Sequence, residues 1–269
     1  MAAGSQVSIM FSGERTLNLL RQTVIFVALA TSVLVFVWPL LINSAAPSQI
    51  ATAQFAAFVI APLILALLFL EFGTKQLGPR QLAVLAVLIA LNGVVRLLGA
   101  GVAGIETAFF IVIIAAYVFG SSFGFILGSS SLLFSALISG GFGPWLPFQM
   151  IAIGLVGFGA GALPQIRTPR LLLISYAVLA SFAFGALMTM WNWPYLAGLG
   201  SSVSFVPGAG VAENLIRFIR FEIATGGLIW DLGRAVTTSV LIGVTATTLL
   251  ATLKRAANRA VVEKLTNGN

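Results

Sequence analysis

The chain has 269 residues, of which 59% are apolar and only 8% charged, and its mean hydropathy is +1.07. Soluble domains carry about 25% charged residues, so a polytopic helical membrane protein is the class this composition leaves open. The net charge of +7 is spread thinly along the borders of apolar runs; it lacks the single basic face that nucleic acid requires.

The first 22 residues are mixed in character and lack the compact pattern of a signal peptide, so residues 22–42 read as a mature first span. About 20 apolar residues cross a bilayer as a helix. Eight segments approach that requirement, at roughly 22–42, 54–71, 81–98, 105–119, 123–139, 148–163, 171–190 and 229–252. Helix is expected for each, because lipid cannot satisfy an open backbone. The fourth is short, which leaves a re-entrant segment open. The third contains LAVLAVLIAL, with Ala86 and Ala90 four apart and Ala83 one turn earlier. The fifth and sixth carry Gly120, Gly124 and Gly128, then Gly157 and Gly161, spacings that let helices approach closely in lipid. Between them, SGGFGPWLPFQM combines a glycine reversal with Pro144 and Pro147, a stiff corner whose second proline suits the first turn of the next helix.

Loop charges set the expected orientation. Arg15, Arg21, Lys75, Arg80, Arg167, Arg170, Lys254, Arg255, Arg259 and Lys264 fall on one side of an eight-span arrangement, and only Arg217 and Arg220 lie in loops on the other. The positive-inside rule then puts both termini in the cytoplasm of a cell membrane. Residues 99–105, 139–147 and 191–228 become external loops. In the last, AENLIRFIRFEIA reads as an amphipathic helix with Leu215, Ile216, Phe218, Ile219 and Ile223 as its apolar face. It is expected either to lie on the outer membrane surface or to cap a cavity.

Charges within spans are functional candidates by default. Arg96, Asp231 and Arg234 are of this kind, and Glu106 sits at the start of the fourth span, where it could meet Arg96. Asp231 and Arg234, spaced i,i+3, can form a same-face ion pair. Trp145, Trp191, Trp193, Tyr195 and Trp230 gather on the external side, with Trp38 at the outer end of the first span. Aromatic rings with a few polar groups suit a bulky organic ligand, although an interfacial belt accounts for part of the bias.

The chemistry on offer is narrow. There is no Cys and no His, which removes disulfides, thiolate metal sites and the commonest general base. No phosphate-binding GxxxxGK[ST] loop is present. The seven carboxylates form neither a DxxD nor an ExxE motif. Binding or transport is therefore expected, with no catalytic residues, no metal and no cofactor.

Residues 81–252, through LAVLAVLIALNGVVRLLGAG, AFFIVIIAAYVFGSSFGFILG, GGFGPWLPFQM and LIWDLGRA, resemble the substrate-binding (S) component of energy-coupling factor transporters, a vitamin-uptake class of ABC importers. The resemblance implies a six-helix core over 81–253, an N-terminal extension of two helices over 1–80 and a basic tail over 254–269. It implies partners as well: a transmembrane coupling subunit, two cytoplasmic ATPases that hydrolyse ATP, and a vitamin-like ligand held under the external loops. Ala86 and Ala90 become the coupling-subunit docking face, with Ala28 and Ser32 of the extension as the other pair. The ligand residues expected are Arg96, Glu106, Trp145, Gln149, Trp191, Asn192, Tyr195, Asn214, Trp230, Asp231 and Arg234, the charged ones holding a carboxylate or phosphate-like group. The long last loop suggests a large ligand, and a cobalamin-like compound is the first specific expectation. A stand-alone carrier using Asp231 and a membrane scaffold protein are the rival classes.

Overall fold

Apolar runs that must satisfy their own backbone in lipid become helices. The computed structural model describes residues 2–42, 46–73, 77–99, 104–196 and 200–266, all-α throughout. Its ten helices are α1 (Ala2–Phe36), α2 (Trp38–Leu41), α3 (Pro47–Gly73), α4 (Pro79–Gly99), α5 (Phe109–Phe119), α6 (Ser121–Ser139), α7 (Leu146–Gly161), α8 (Arg170–Leu196), α9 (Val211–Thr225) and α10 (Gly227–Thr266). Lys75, most of the loop expected at 99–105, residues 197–199 and the last three residues of the tail lie outside the described residues. Six helical stretches are long and apolar enough to cross a membrane: Leu19–Phe36, Ser48–Gly73, Pro79–Gly99, Ser121–Ser139, Arg170–Leu196 and Gly227–Arg259. The chain is a multi-pass membrane protein. α5 and α7 are apolar but have only 11 and 16 residues.

Three expected boundaries move. The span expected at 22–42 breaks at Val37, because Pro39 has no N–H to continue the α1 ladder, and a separate turn, α2, follows. The span expected to end at 190 runs on to Leu196 despite Pro194. Burial of Trp191 and Trp193 holds that last stretch in helix, so Trp191, Asn192 and Tyr195 belong to α8 and not to a loop. The helix that carries the last span continues well beyond 252, through the basic segment to Thr266.

α5 forms the centre. Every residue from Phe109 to Tyr117 is buried, with α6, α7, α8 and α10 packed around it. A helix surrounded by protein has no need of a polar face, and its backbone ends must find partners inside the molecule. They do at the C-terminal end: Gln165 Nε2 donates to the Tyr117 carbonyl at 2.7 Å, while the Tyr117 hydroxyl accepts from Ile166 N at 2.9 Å and donates to Pro164 O at 3.2 Å.

The glycine spacings are packing devices. A Cβ built on Gly157 would lie 2.1 Å from Gly124 O, and one on Gly128 would lie 2.6 Å from Ile153 O. α6 and α7 therefore meet backbone to backbone, which only glycine permits. The SGGFGPWLPFQM corner behaves as read: Gly140 ends α6 with φ +69°, and Pro147 sits in the first turn of α7.

α1 and α3 join the same core. Phe36 and Phe58 pack edge-on against Phe148 of α7, and Phe72 packs against Phe125 of α6. Alternation of direction gathers the C-terminal ends of α4, α6 and α8 and the starts of α5, α7 and α10 at one end of the bundle, together with α9. Arg21, bonded to Glu71, and Arg170, bonded to Thr247, lie toward the other end.

Candidate functional site

α8 and α10 pack along much of their length, and their shared seam changes character along its course. Toward one end it is apolar, with Ile242, Ala246, Leu250 and Leu253 buried. Toward the α9 end it is polar. Small residues Ser181, Gly185 and Thr189, four apart on α8, face Asp231 and Arg234 on α10 and Glu222 on α9. Gly185 is required there: an added Cβ would stand 1.8 Å from Asp231 Oδ1. Arg234 Nη1 donates to Asp231 Oδ1 at 2.6 Å and to Ser181 O at 3.1 Å. The Arg234 guanidinium also lies over the Phe184 ring, 4.8 Å from its centroid, and 5.7 Å from that of Phe109. Asp231 is buried and Arg234 only part exposed, so the carboxylate in particular depends on its partner.

Glu222 completes the seam and was missed by sequence reasoning. Its residue is 6% exposed, and neither carboxylate oxygen makes a hydrogen bond of good geometry. Its Oε2 rests against Gly227, where a Cβ would stand 1.9 Å away. Burial pushes its carboxyl above the ordinary glutamate value. The neighbouring Thr189 hydroxyl opposes that shift, and the negative charge of Asp231 adds to it. Ser181 Oγ, Thr238 Oγ1 and Arg234 Nε are also buried without partners along this seam, a concentration that folded interiors rarely leave unexplained.

Beside the seam lies an aromatic box. Trp191 stacks on Phe148 with centroids 4.1 Å apart and planes at 6°, and Phe58 meets both rings edge-on at 5.8 Å. Trp38 Nε1 donates to Trp191 O at 2.9 Å, and the Tyr195 ring leans on Trp38, Phe58 and Trp191. The Trp191 indole N–H itself is buried and unpartnered. Trp193, Phe205, Phe218, Phe221 and Met190 form a second cluster beneath α9. The N-terminal helices thus supply part of the box through Trp38 and Phe58.

The expected site residues divide into groups. Asp231 with Arg234, and Trp191 with Tyr195, come together. Arg96 instead donates to Ser135 Oγ at 3.0 Å, one turn beyond an Asn92–Ser131 hydrogen bond of 2.8 Å, so it ties α4 to α6. Glu106 accepts from Ala108 N at 3.1 Å at the start of α5 and makes no pair with Arg96. Trp145 and Trp230 point outward; the Trp145 ring covers Gly143 and the Trp230 backbone seats Gly104. Asn214 uses both ends of its amide on Val206, at 3.0 and 2.9 Å, and latches the 200–210 loop onto α9. Gln149 and Asn192 are half-buried. Ala86 and Ala90 lie on an exposed face of α4, whereas Ala28 and Ser32 are buried and offer no docking surface.

Of the expected apolar face of α9, Leu215, Ile216, Ile219 and Ile223 point outward, while Phe218 turns to the bundle with Asn214, Phe221 and Glu222. The surroundings of a membrane protein are themselves apolar, so the greasy stripe need not mark the inside. A shallow cleft of about 290 Å³, lined by Ser202, Glu213, Ile216, Arg217 and Arg220, opens on the outer side of the helix.

No family model, curated protein or solved structure matches the chain. It is a polytopic helical membrane protein, with six candidate spans among the described residues.

Proposed function

We propose that this chain is the substrate-binding membrane subunit of an energy-coupling factor importer. In this role it captures a micronutrient on the outer face and passes it inward with a coupling subunit and two ATPases. α5 and α7 then count as short spans, giving eight, with both termini in the cytoplasm. The observation that carries the reading is the one-sided build of the bundle. A buried ion pair, an unsatisfied carboxylate and a stacked indole lie at one end beneath a separate amphipathic helix. Such a mix of apolar rings and a few converging polar groups suits a small-molecule site. The exposed small-residue face of α4 is consistent with docking to a second membrane protein. A vitamin-like compound is the ligand class to test, cobalamin-like ligands first.

The test is reconstitution. Uptake in proteoliposomes should require the coupling subunit and ATP, and the three partner chains should co-purify with this one from membranes. Uptake that persists without any ATPase would instead support a stand-alone carrier built on Asp231. A chain that binds no small molecule but retains a protein partner would support a scaffold.

A further inference from the structure

The charge count at the seam is unbalanced. Asp231 is neutralised by Arg234 at 2.6 Å, but Glu222 has no cation within reach among the described residues. The elements packed on α9 are α2, α8 and α10. α2 is WPLL and carries no charge, and α8 carries only Arg170, at its far end. α10 offers Asp231 and Arg234, already paired. On α9 itself, Arg217 is bonded to Glu213 at 2.9 Å and Arg220 is exposed on another face. A carboxylate this buried must find a counter-charge or hold a proton.

We infer that Glu222 is the recognition point for a cationic group, an ammonium or similar monocation, on the ligand of this site. Two features support a cation over the anion that Arg234 alone would suggest. First, Asp231 already neutralises the charge of the Arg234 guanidinium, which is further stacked against Phe184 and Phe109, so an incoming carboxylate meets no net positive charge there. Second, Glu222 shares the buried face of α9 with Phe218 and Phe221, and Phe218 packs edge-on with Trp193 at 5.5 Å. A carboxylate beside π faces is the arrangement that binds organic cations. Entry follows displacement of α9, which is flanked by Gly210 and by Gly226 at φ +78°. This inference rests on the binding role proposed above and names the chemistry of its ligand.

The test uses the full-length chain in lipid nanodiscs without partner subunits. It is titrated with benzylamine, benzyltrimethylammonium, benzyl alcohol and benzoate, and read by indole fluorescence and thermal shift. Both cations should bind, and the alcohol and benzoate should not. Glu222→Gln should weaken cation binding by about tenfold to a hundredfold, the range of a lost charge-assisted contact. Thr189→Lys, which supplies an internal cation beside Glu222, should abolish it, and this second variant decides the matter if the first misfolds. Any one of four results overturns the inference: equal binding of the alcohol, preference for benzoate, no response to either cation, or unchanged cation binding in folded Glu222→Gln. Because no ATPase is present, the outcome separates from the uptake test. Cation binding with ATP-independent uptake keeps the site and discards the importer role; benzoate preference with ATP-driven uptake does the reverse.

Discussion

The α6–α7 contact makes a quantitative prediction. At Gly157 the nearest atoms to an added methyl are the Gly124 carbonyl oxygen at 2.1 Å and carbon at 2.5 Å, followed by Val112 Cγ1 at 3.0 Å. Ordinary contact begins near 3.4 Å, so the two backbones must part by more than an ångström. No flexible side chain absorbs that movement, and Val112 belongs to the central helix α5, which is enclosed on all sides. Overpacking of this kind costs about 1–3 kcal/mol, and the rigid backbone partner places Gly157→Ala at the upper end. Gly243 is the internal control, because an added Cβ there meets nothing within 4 Å. Gly243→Ala should be neutral or stabilise α10 by up to about 1 kcal/mol, the helix-propensity difference. Reversible unfolding in mixed micelles, followed by far-UV circular dichroism, measures both. If Gly157→Ala is as stable as Gly243→Ala, the helices do not meet backbone to backbone and the reasoning fails.

Four further outcomes are expected. Arg234→Ala should destabilise by about 3–5 kcal/mol by stranding the buried Asp231 carboxylate, Asp231→Ala by less because Arg234 is part exposed, and the double variant should be less damaging than Arg234→Ala; additive losses in a double-mutant cycle would contradict the pairing. Tyr117→Phe should cost about 1–3 kcal/mol, since Ile166 N and Pro164 O both lose their partner, and amide exchange at Ile166 should accelerate. If the chain is the proposed importer subunit, Ala86→Leu/Ala90→Leu should leave ligand binding intact and abolish uptake, because the face is exposed and the added bulk would act on a docking subunit; normal uptake would place docking elsewhere. Finally, the Glu222 carboxyl is raised above its ordinary value by burial, so its protonated form favours the folded state. That contribution is complete below the ordinary value of 4.5 and is lost as pH rises through the raised one. Wild-type stability should fall across that window, and Glu222→Gln should flatten the curve.

Much of the architecture was readable because it follows from elementary constraints. Hydropathy located every apolar helix but the single turn α2, and the i,i+3 spacing of Asp231 and Arg234 anticipated their ion pair. Pro147 marked the start of α7. The failures have physical causes. Composition assigns WNWPYL to a loop because Pro194 breaks helix locally, yet burial of Trp191 and Trp193 overrides it. Arg96 and Glu106 lie toward the same end of the bundle as Asp231, but sharing an end is not contact, and each finds a nearer partner in Ser135 or the Ala108 backbone. Glu222 was overlooked although a signal existed: it follows Asn214 and Phe218 at successive intervals of four, which puts all three on one helical face.

The orientation of α9 links these points. In a water-soluble protein, the stripe Leu215, Ile216, Ile219 and Ile223 would have to face the core, and Glu222 would be solvated. Here the stripe faces outward and Glu222 is enclosed, which is reasonable only if the exterior is itself apolar over part of the helix. On the role proposed above, α9 would sit where lipid meets the end of the bundle, its four aliphatic side chains held by the membrane while Phe218 and Phe221 hold it to the protein. A helix anchored on both sides resists lifting unless something offsets the apolar contacts it loses. A ligand cation that satisfies Glu222 and spares it an unpaired burial is suited to that part. The same carboxylate would then set both the affinity of the site and the energy needed to open it.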